Sequence, residues 1–285
     1  MGLKIWLNEG LVDEDQARIS VFDRGVLYGD GVFEGIRVYN GKVFEHQAHI
    51  DRLYVSARTI RLKIPLDPET MKDRVEQTVQ ANGISDGYVR LVVTRGIGDL
   101  SLDPTVCENP QIFIIAATIQ LYPQELYEKG LNIVSSSVMR NHPLCLPPQV
   151  KSLNYLNNIL AKQEACDRQA PEAIMYNHLG FVAEATGDNV FIVRDGVIIT
   201  PPNSDGSLTG VTQAVVIRLA QEAGYDVRHE HLTRFDLYGA DEMFLTGTAA
   251  EVIGVSQMDH QPIGGGTPGP VTRDLKARFE AYARS

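Results

Sequence analysis

The chain has 285 residues, 44% hydrophobic and 22% charged, and a formal net charge of −10. This length supports one large or two moderate domains, and the acidic balance argues against general binding to nucleic acid or to an anionic membrane. Three widely spaced cysteines (Cys107, Cys145 and Cys166) and the lack of an apolar leader or a membrane-length stretch predict a soluble cytoplasmic enzyme with free thiols.

The first hundred or so residues read as strands and hairpins with two helices. Asn40-Gly41 lies between the apolar runs 33–39 and 42–44, a strong two-residue hairpin signal. One helix is predicted over 46–61. A second runs from the N-cap Asp67 to the stop at Asn82-Gly83. Strands follow at 88–94 and 111–116, and alternation in the first puts Tyr88, Arg90 and Val92 on one face.

A change of composition around 120–124 marks a linker, giving a small N-terminal domain over 1–118, a linker over 119–129 and a larger C-terminal domain over 130–285. The second part holds a strand at 131–134, a loop rich in proline over 140–148, and a helix over 154–167. Turns fall at 177–180 and at Asp195-Gly196. Gly210 opens a helix that Gly224 stops; strands near 242–245 and 252–255 precede a last helix from about Val271. The sum is an α+β fold in two domains, with the cleft between them as the default site.

Lys151 lies between the Pro-rich loop and a helical run, with Tyr155 four residues on. Most lysines are solvated surface charges, but one that is fixed and desolvated can act as a nucleophile near neutral pH. His46 and His49, three apart on a helix without a carboxylate-rich helical partner, read as a surface helix face rather than a ligand pair. Gly264-Gly-Gly266 lacks the Lys-Ser/Thr ending of a phosphate loop and reads as a flexible connection.

Several further stretches join Lys151 in a recognisable order. They are Tyr28-Gly29 with Val-Phe-Glu-Gly-Ile-Arg at 32–37, Arg52-Leu53, Tyr88-Val-Arg90 and Arg140-Asn141. Beyond these come Lys-Ser-Leu-Asn-Tyr-Leu at 151–156, Glu-Ala-Thr-Gly-Asp-Asn at 184–189, Leu-Thr-Gly-Val-Thr at 208–212 and Thr-Gly-Thr-Ala-Ala-Glu at 246–251. Through them nearly the whole chain resembles a fold-type IV pyridoxal-phosphate aminotransferase of the kind that includes D-amino-acid aminotransferase, and most of all the branched-chain amino-acid aminotransferases. The resemblance implies a two-domain fold with the cofactor at the domain interface.

The same resemblance implies roles. Lys151 would be the Schiff-base lysine, Glu184 the carboxylate at the pyridine nitrogen, and Tyr155 the partner of the cofactor's phenolic oxygen. Arg52, the backbone of Val211 and Thr212, and Thr248 would hold the phosphate of pyridoxal 5′-phosphate, as a guanidinium fork and a helix N-terminus suit a dianion. Arg140 and Asn189 would buttress the site. Substrate would meet Tyr28, Phe33, Tyr88, Arg90, Thr248 and Ala249, with Tyr28 and Leu102 supplied by the neighbouring subunit of a homodimer with shared active sites. A higher homo-oligomer stays open, and Leu100 and Leu102 read equally as loop packing.

The implied reaction moves an amino group between leucine, isoleucine or valine and 2-oxoglutarate. D-amino-acid aminotransferases, R-selective amine transaminases and aminodeoxychorismate lyases share the same lysine, glutamate and phosphate groups and remain the alternatives within the fold. A non-catalytic protein that binds pyridoxal phosphate is the alternative outside it.

Overall fold

A computed structural model describes residues 2–119 and 122–285. The chain forms two compact units, Met1–Ile119 with Val150–Asn154, and Gln120–Gln149 with Tyr155–Ser285. Of the predicted linker, Gln120 and Leu121 lie outside the described residues.

The first unit contains β1 (Lys4–Leu7), β2 (Gly10–Asp13), α1 (Arg24–Tyr28), β3 (Gly31–Tyr39), β4 (Lys42–Val43), α2 (His46–Thr59), α3 (Pro68–Ala81), β5 (Gly87–Thr94) and β6 (Ile112–Ala117). Its strands make one sheet in the order β2-β1-β6-β5-β3-β4, with antiparallel neighbours throughout. Asn40 and Gly41 both take positive φ in the β3–β4 turn, the geometry that favours Asn-Gly there. Asp67 caps α3 by accepting from the Thr70 amide at 2.9 Å, with Pro68 in the first turn.

Strand alternation decides which face meets the helices. Val32, Ile36 and Val38 of β3 join Val89, Leu91 and Val93 of β5 in a core closed by Ile50, Leu53 and Ala57 of α2 and by Met71, Val75 and Val79 of α3. Phe33 and Gly35 therefore point the other way, as do Tyr88 and Arg90. The far edge of β3 pairs with β4 only at Val38 and Tyr39, which leaves its first half available. Residues 150–154 occupy that half: Ser152 bridges Val32, and the Leu153 amide donates to the Gly31 carbonyl at 3.0 Å. This backbone pairing corrects the sequence-based boundary, which leaves 150–154 in the second domain.

The second unit contains α4 (Gln124–Lys129), β7 (Leu131–Ser135), α5 (Leu156–Asp167), β8 (Ala173–Tyr176), β9 (Val182–Ala185), β10 (Asn189–Arg194), β11 (Val197–Thr200), α6 (Val211–Glu222), β12 (Val227–His229), α7 (Arg234–Tyr238), β13 (Glu242–Gly247), β14 (Glu251–Met258), β15 (Gln261–Pro262) and α8 (Pro270–Ala283). The predicted linker thus ends in a helix. The strands form a mixed sheet in the order β12-β11-β10-β13-β14-β7-β8-β9, with β15 added beside β14. Its core includes Leu131, Ile133, Ile192, Leu245, Ile253 and Val255.

Buried Glu242 accepts from the Val271 and Thr272 amides at 3.0 and 2.8 Å, satisfying orphan donors at the start of α8. No described helix is long and apolar enough to cross a membrane.

Candidate active site

Lys151 is fixed by its backbone. Its carbonyl accepts from the Phe33 amide at 3.0 Å, and its amide donates to Ser56 Oγ at 3.2 Å. The sequence places this lysine at a helix start, yet α5 begins only at Leu156, and Lys151 lies in the extended segment beside β3. The pairing with β3 explains the difference, because a residue committed to a strand edge cannot also enter a helix. Lys151 Nζ stands 4.5 Å from the centroid of the Phe33 ring.

The same ring meets a second cation. Arg90 Cζ is 4.7 Å from the Phe33 centroid, and Arg90 Nη2 donates to Tyr88 Oη at 3.0 Å. Gly35 lies under this group, and a Cβ built there would collide with the Tyr88 hydroxyl. The glycine of the Val-Phe-Glu-Gly-Ile-Arg stretch is thus the space in which Tyr88 rests. Phe33, Tyr88, Arg90 and Lys151 are brought together as the sequence expects.

Arg52 sits on the opposite side of β3. Its Nε and Nη2 donate to Glu34 Oε1 and Oε2, both at 2.7 Å, and His49 Nδ1 lies 2.8 Å from Glu34 Oε2. Glu34 and His49 are buried. Burial alone would raise the Glu34 carboxyl, but the charge and hydrogen bond of Arg52, with smaller help from His49, bring it down to about 2. Burial lowers His49 despite the pull of Glu34, and the ring nitrogen that faces the Glu34 carboxylate, an acceptor, is Nδ1.

His49 is therefore no part of a surface helix face. It is 1% exposed, on the α2 stripe that also carries Ile50, Leu53 and Ser56. The partner that makes its burial tolerable comes from another element. Arg52, for its part, is half of a compensated pair, with Glu34 fixing the plane of its guanidinium.

Tyr28 closes α1, and its hydroxyl donates to the Leu100 carbonyl at 2.6 Å. Leu100 and Leu102 are 66% and 77% exposed. Their carbonyls are held, by Tyr28 and Arg24, while their side chains are largely exposed in the single chain.

In the second unit, buried Glu184 at the end of β9 accepts from Arg140 Nε at 2.8 Å and from the Leu208 amide at 2.9 Å. Asn189 Nδ2 donates to the Leu208 carbonyl at 3.0 Å, and its carbonyl oxygen packs where a side chain on residue 210 would sit. Gly210 then starts α6, and no side chain caps that helix. The amides of Val211 and Thr212 stand in its first turn, the place where an anion finds donors and a favourable dipole.

Thr248 and Ala249 form the turn between β13 and β14. Ala249 shares a cavity of about 480 Å³ with Tyr155, and Tyr122, Asn158, Lys162 and Asp188 also line it. The sequence singles out none of these four. Their signal is tertiary, since it depends on separate segments meeting.

These groups suit pyridoxal phosphate. The first unit offers a fixed amine beside an aromatic ring and a held guanidinium; the second, taken by itself, offers an uncapped helix N-terminus and a buried carboxylate whose position is set by two donors. A family model described as amino-transferase class IV matches residues 31–258. The chain belongs to the class IV aminotransferases.

This aminotransferase uses pyridoxal phosphate, as the class does; a solved branched-chain amino acid aminotransferase 36% identical to it carries pyridoxamine 5′-phosphate. It is 50% identical over 278 residues to a Methanocaldococcus jannaschii protein provisionally named branched-chain-amino-acid aminotransferase, covering 98% of this chain and 96% of that protein. It is 34% identical over 278 residues to the D-alanine aminotransferase of Bacillus licheniformis, with 98% and 96% coverage. Among solved structures, the branched-chain aminotransferase of the thermophilic archaeon Thermoproteus uzoniensis with norvaline superposes at a TM-score of 0.94 and 36% identity, covering 100% of this chain and 95% of that one.

Proposed function

We propose that this aminotransferase moves the amino group of L-leucine, L-isoleucine or L-valine to 2-oxoglutarate, giving branched-chain 2-oxo acids and glutamate. The observation that carries the proposal is the Phe33 ring with Lys151 Nζ and the Arg90 guanidinium both close to its centroid, at 4.5 and 4.7 Å. An apolar wall beside a cation suits a pocket that takes an aliphatic side chain in one half-reaction and a distal carboxylate in the other. The names of the M. jannaschii and T. uzoniensis proteins support the same substrate class.

In this reading the Lys151 group and the Glu184 group serve one molecule of pyridoxal phosphate, which supplies an electron-withdrawing ring to the breaking α-C–H bond. Lys151 Nζ would take the proton from the substrate α-carbon, deliver it to the cofactor carbon that receives the amino nitrogen, and run the same transfer backwards in the second half-reaction. Glu184 would hold a proton on the ring nitrogen, because a fixed negative charge favours the cationic form. Arg52, Thr248 and the first turn of α6 would hold the phosphate, and the Tyr155 hydroxyl would donate to the phenolic oxygen. The Ala249 amide, Thr248 and the Tyr88 hydroxyl hold the substrate α-carboxylate, while Arg90 takes the distal carboxylate of glutamate.

The reading includes a homodimer in which Tyr28 and Leu102 reach the partner's pocket. Exposed Val21, Phe22, Val26, Leu100 and Leu102 support it, because the Gly98 amide bonds the Phe22 carbonyl and the Tyr28 hydroxyl bonds the Leu100 carbonyl, which brings these two segments into one region. Light scattering on the purified protein should give twice the mass of one chain.

Turnover with L-leucine, D-alanine and an R-configured amine, each against 2-oxoglutarate, tests the substrate class. L-Leucine should lead by at least about tenfold in kcat/KM, since a few pocket contacts of about 1–3 kcal/mol separate such substrates. D-Alanine in the lead would overturn the proposal in favour of the activity named for the B. licheniformis relative.

A further inference from the structure

Arg24, the first residue of α1, is only 3% exposed. A guanidinium at that depth is costly to keep unless its N–H groups find acceptors. Its acceptors are unusual: Nη1 donates to the Ser101 carbonyl and Nη2 to the Leu102 carbonyl at 3.3 Å. The nearest carboxylate oxygen, Asp30 Oδ2, is 3.9 Å from Nε and is itself bonded by Arg95 at 2.6 Å. Arg24 also stacks on Tyr28, with Cζ 4.8 Å from the ring centroid.

Tyr28 completes the pattern through its bond to the Leu100 carbonyl. Two side chains of one short helix therefore hold three consecutive carbonyls, those of residues 100, 101 and 102. On either side of them the loop is folded by its own carboxylates: Asp99 accepts from the Ser101 amide at 2.9 Å, and Asp103 from the Thr105 amide at 2.8 Å. Both carboxyls lie below their ordinary range, first through the hydroxyls of Ser101 and Thr105, with the Arg24 charge adding to it. The loop backbone is thus anchored from beneath, and Leu100 and Leu102 project outward.

The geometry points to Arg24 as a positioning residue that locks Leu100 and Leu102 to Tyr28, making the three one rigid wall against the aliphatic side chain of the substrate. This inference rests on the proposed branched-chain activity and on the placement of Tyr28 and Leu102 at the pocket. Fixing the wall in advance spares the ordering entropy that a loose loop would cost each time substrate binds. Lysine is no substitute, since a single ammonium on a flexible stem has neither the planar fork nor the stacking face.

The test compares the holoenzyme with Arg24→Ala, Arg24→Lys, Leu102→Ala and the double variant Arg24→Ala/Leu102→Ala, using L-leucine and L-alanine as donors to 2-oxoglutarate. Arg24→Ala should lower the leucine-to-alanine ratio of kcat/KM by about tenfold, mostly through KM for leucine. It should also speed hydrogen exchange in the peptide covering 98–104. In the Leu102→Ala background the same change should add little, because both act on one wall.

Equal losses for both donors, an unchanged ratio, or fully additive effects would each overturn the inference. Should Arg24→Ala not fold, Arg24→Lys carries the same comparison. A parent enzyme inactive with L-leucine removes the proposed function itself, whereas a leucine-selective parent with unaltered variants removes only the role of Arg24.

Discussion

Each unit holds one compensated, largely sheltered ion pair among the candidate site residues, and the two pairs are proposed to act in opposite senses. In the first unit the proposed working group is the cation, Arg52, and Glu34 is its partner. In the second it is the anion, Glu184, and Arg140 is the partner. A lone charge held away from water is costly to keep, so each of these groups is accompanied by a partner of opposite sign. The partner also fixes orientation: Glu34 takes both donors, Nε and Nη2, on one edge of the Arg52 guanidinium, and Arg140 with the Leu208 amide holds both oxygens of Glu184.

Both pairs are proposed to serve the chemistry of Lys151, so removing it sets the scale for every other change. Lys151→Ala should lower turnover by about four orders of magnitude. It should also abolish the covalent mass gain on borohydride reduction with pyridoxal phosphate. A mass gain retained at the active site would show that another amine does the work.

Glu184→Gln and Glu34→Ala separate the two pairs. The first should cut kcat by about a hundredfold, since the charge that supports the transition state is gone. Binding of the phosphate should change little, as followed by cofactor absorbance during dialysis. Glu34→Ala removes the carboxylate that grips the sheltered Arg52 guanidinium and should cost about 3 kcal/mol in denaturant unfolding, together with weaker cofactor retention. If both variants lose rate but keep cofactor equally well, the division of labour between the pairs is wrong.

Acid provides a milder probe of the first pair. The Glu34 carboxyl lies at about 2 when folded, against an ordinary value of 4.5. A depressed carboxyl stabilises the fold fully above its unfolded value, and the benefit disappears as pH falls toward 2. The contribution at neutral pH is about 3 kcal/mol, so urea midpoints should drop between pH 4.5 and 2 more steeply in the parent than in Glu34→Gln.

Gly35→Ala should have the smallest effect. The added methyl displaces the Tyr88 hydroxyl and with it the Arg90 contact, raising KM for both substrates by about tenfold with kcat nearly kept. A fall in kcat without a change in KM would remove Tyr88 from substrate binding.

Local chemistry made much of this molecule legible in sequence. Asn40-Gly41 fixed a hairpin because few residues accept two successive positive φ values, and Asp67-Pro68 fixed a helix start because it satisfies an orphan amide. Period-two alternation put Tyr88 and Arg90 on one face, and the ordered motifs named the cofactor. Those signals depend on residues near one another in the chain.

Tertiary structure decided the rest. Residues 150–154 belong with the first unit because β3 offers them an open edge, and His49 is buried because Glu34 arrives from another strand. The clamp from Arg24 to the Leu102 carbonyl spans 78 positions. A polar side chain reads as exposed until its partner is known, and that partner is chosen by which surfaces fold together. Sequence therefore determined the elements and the chemistry, while packing determined which charges could be buried and where the lysine is held.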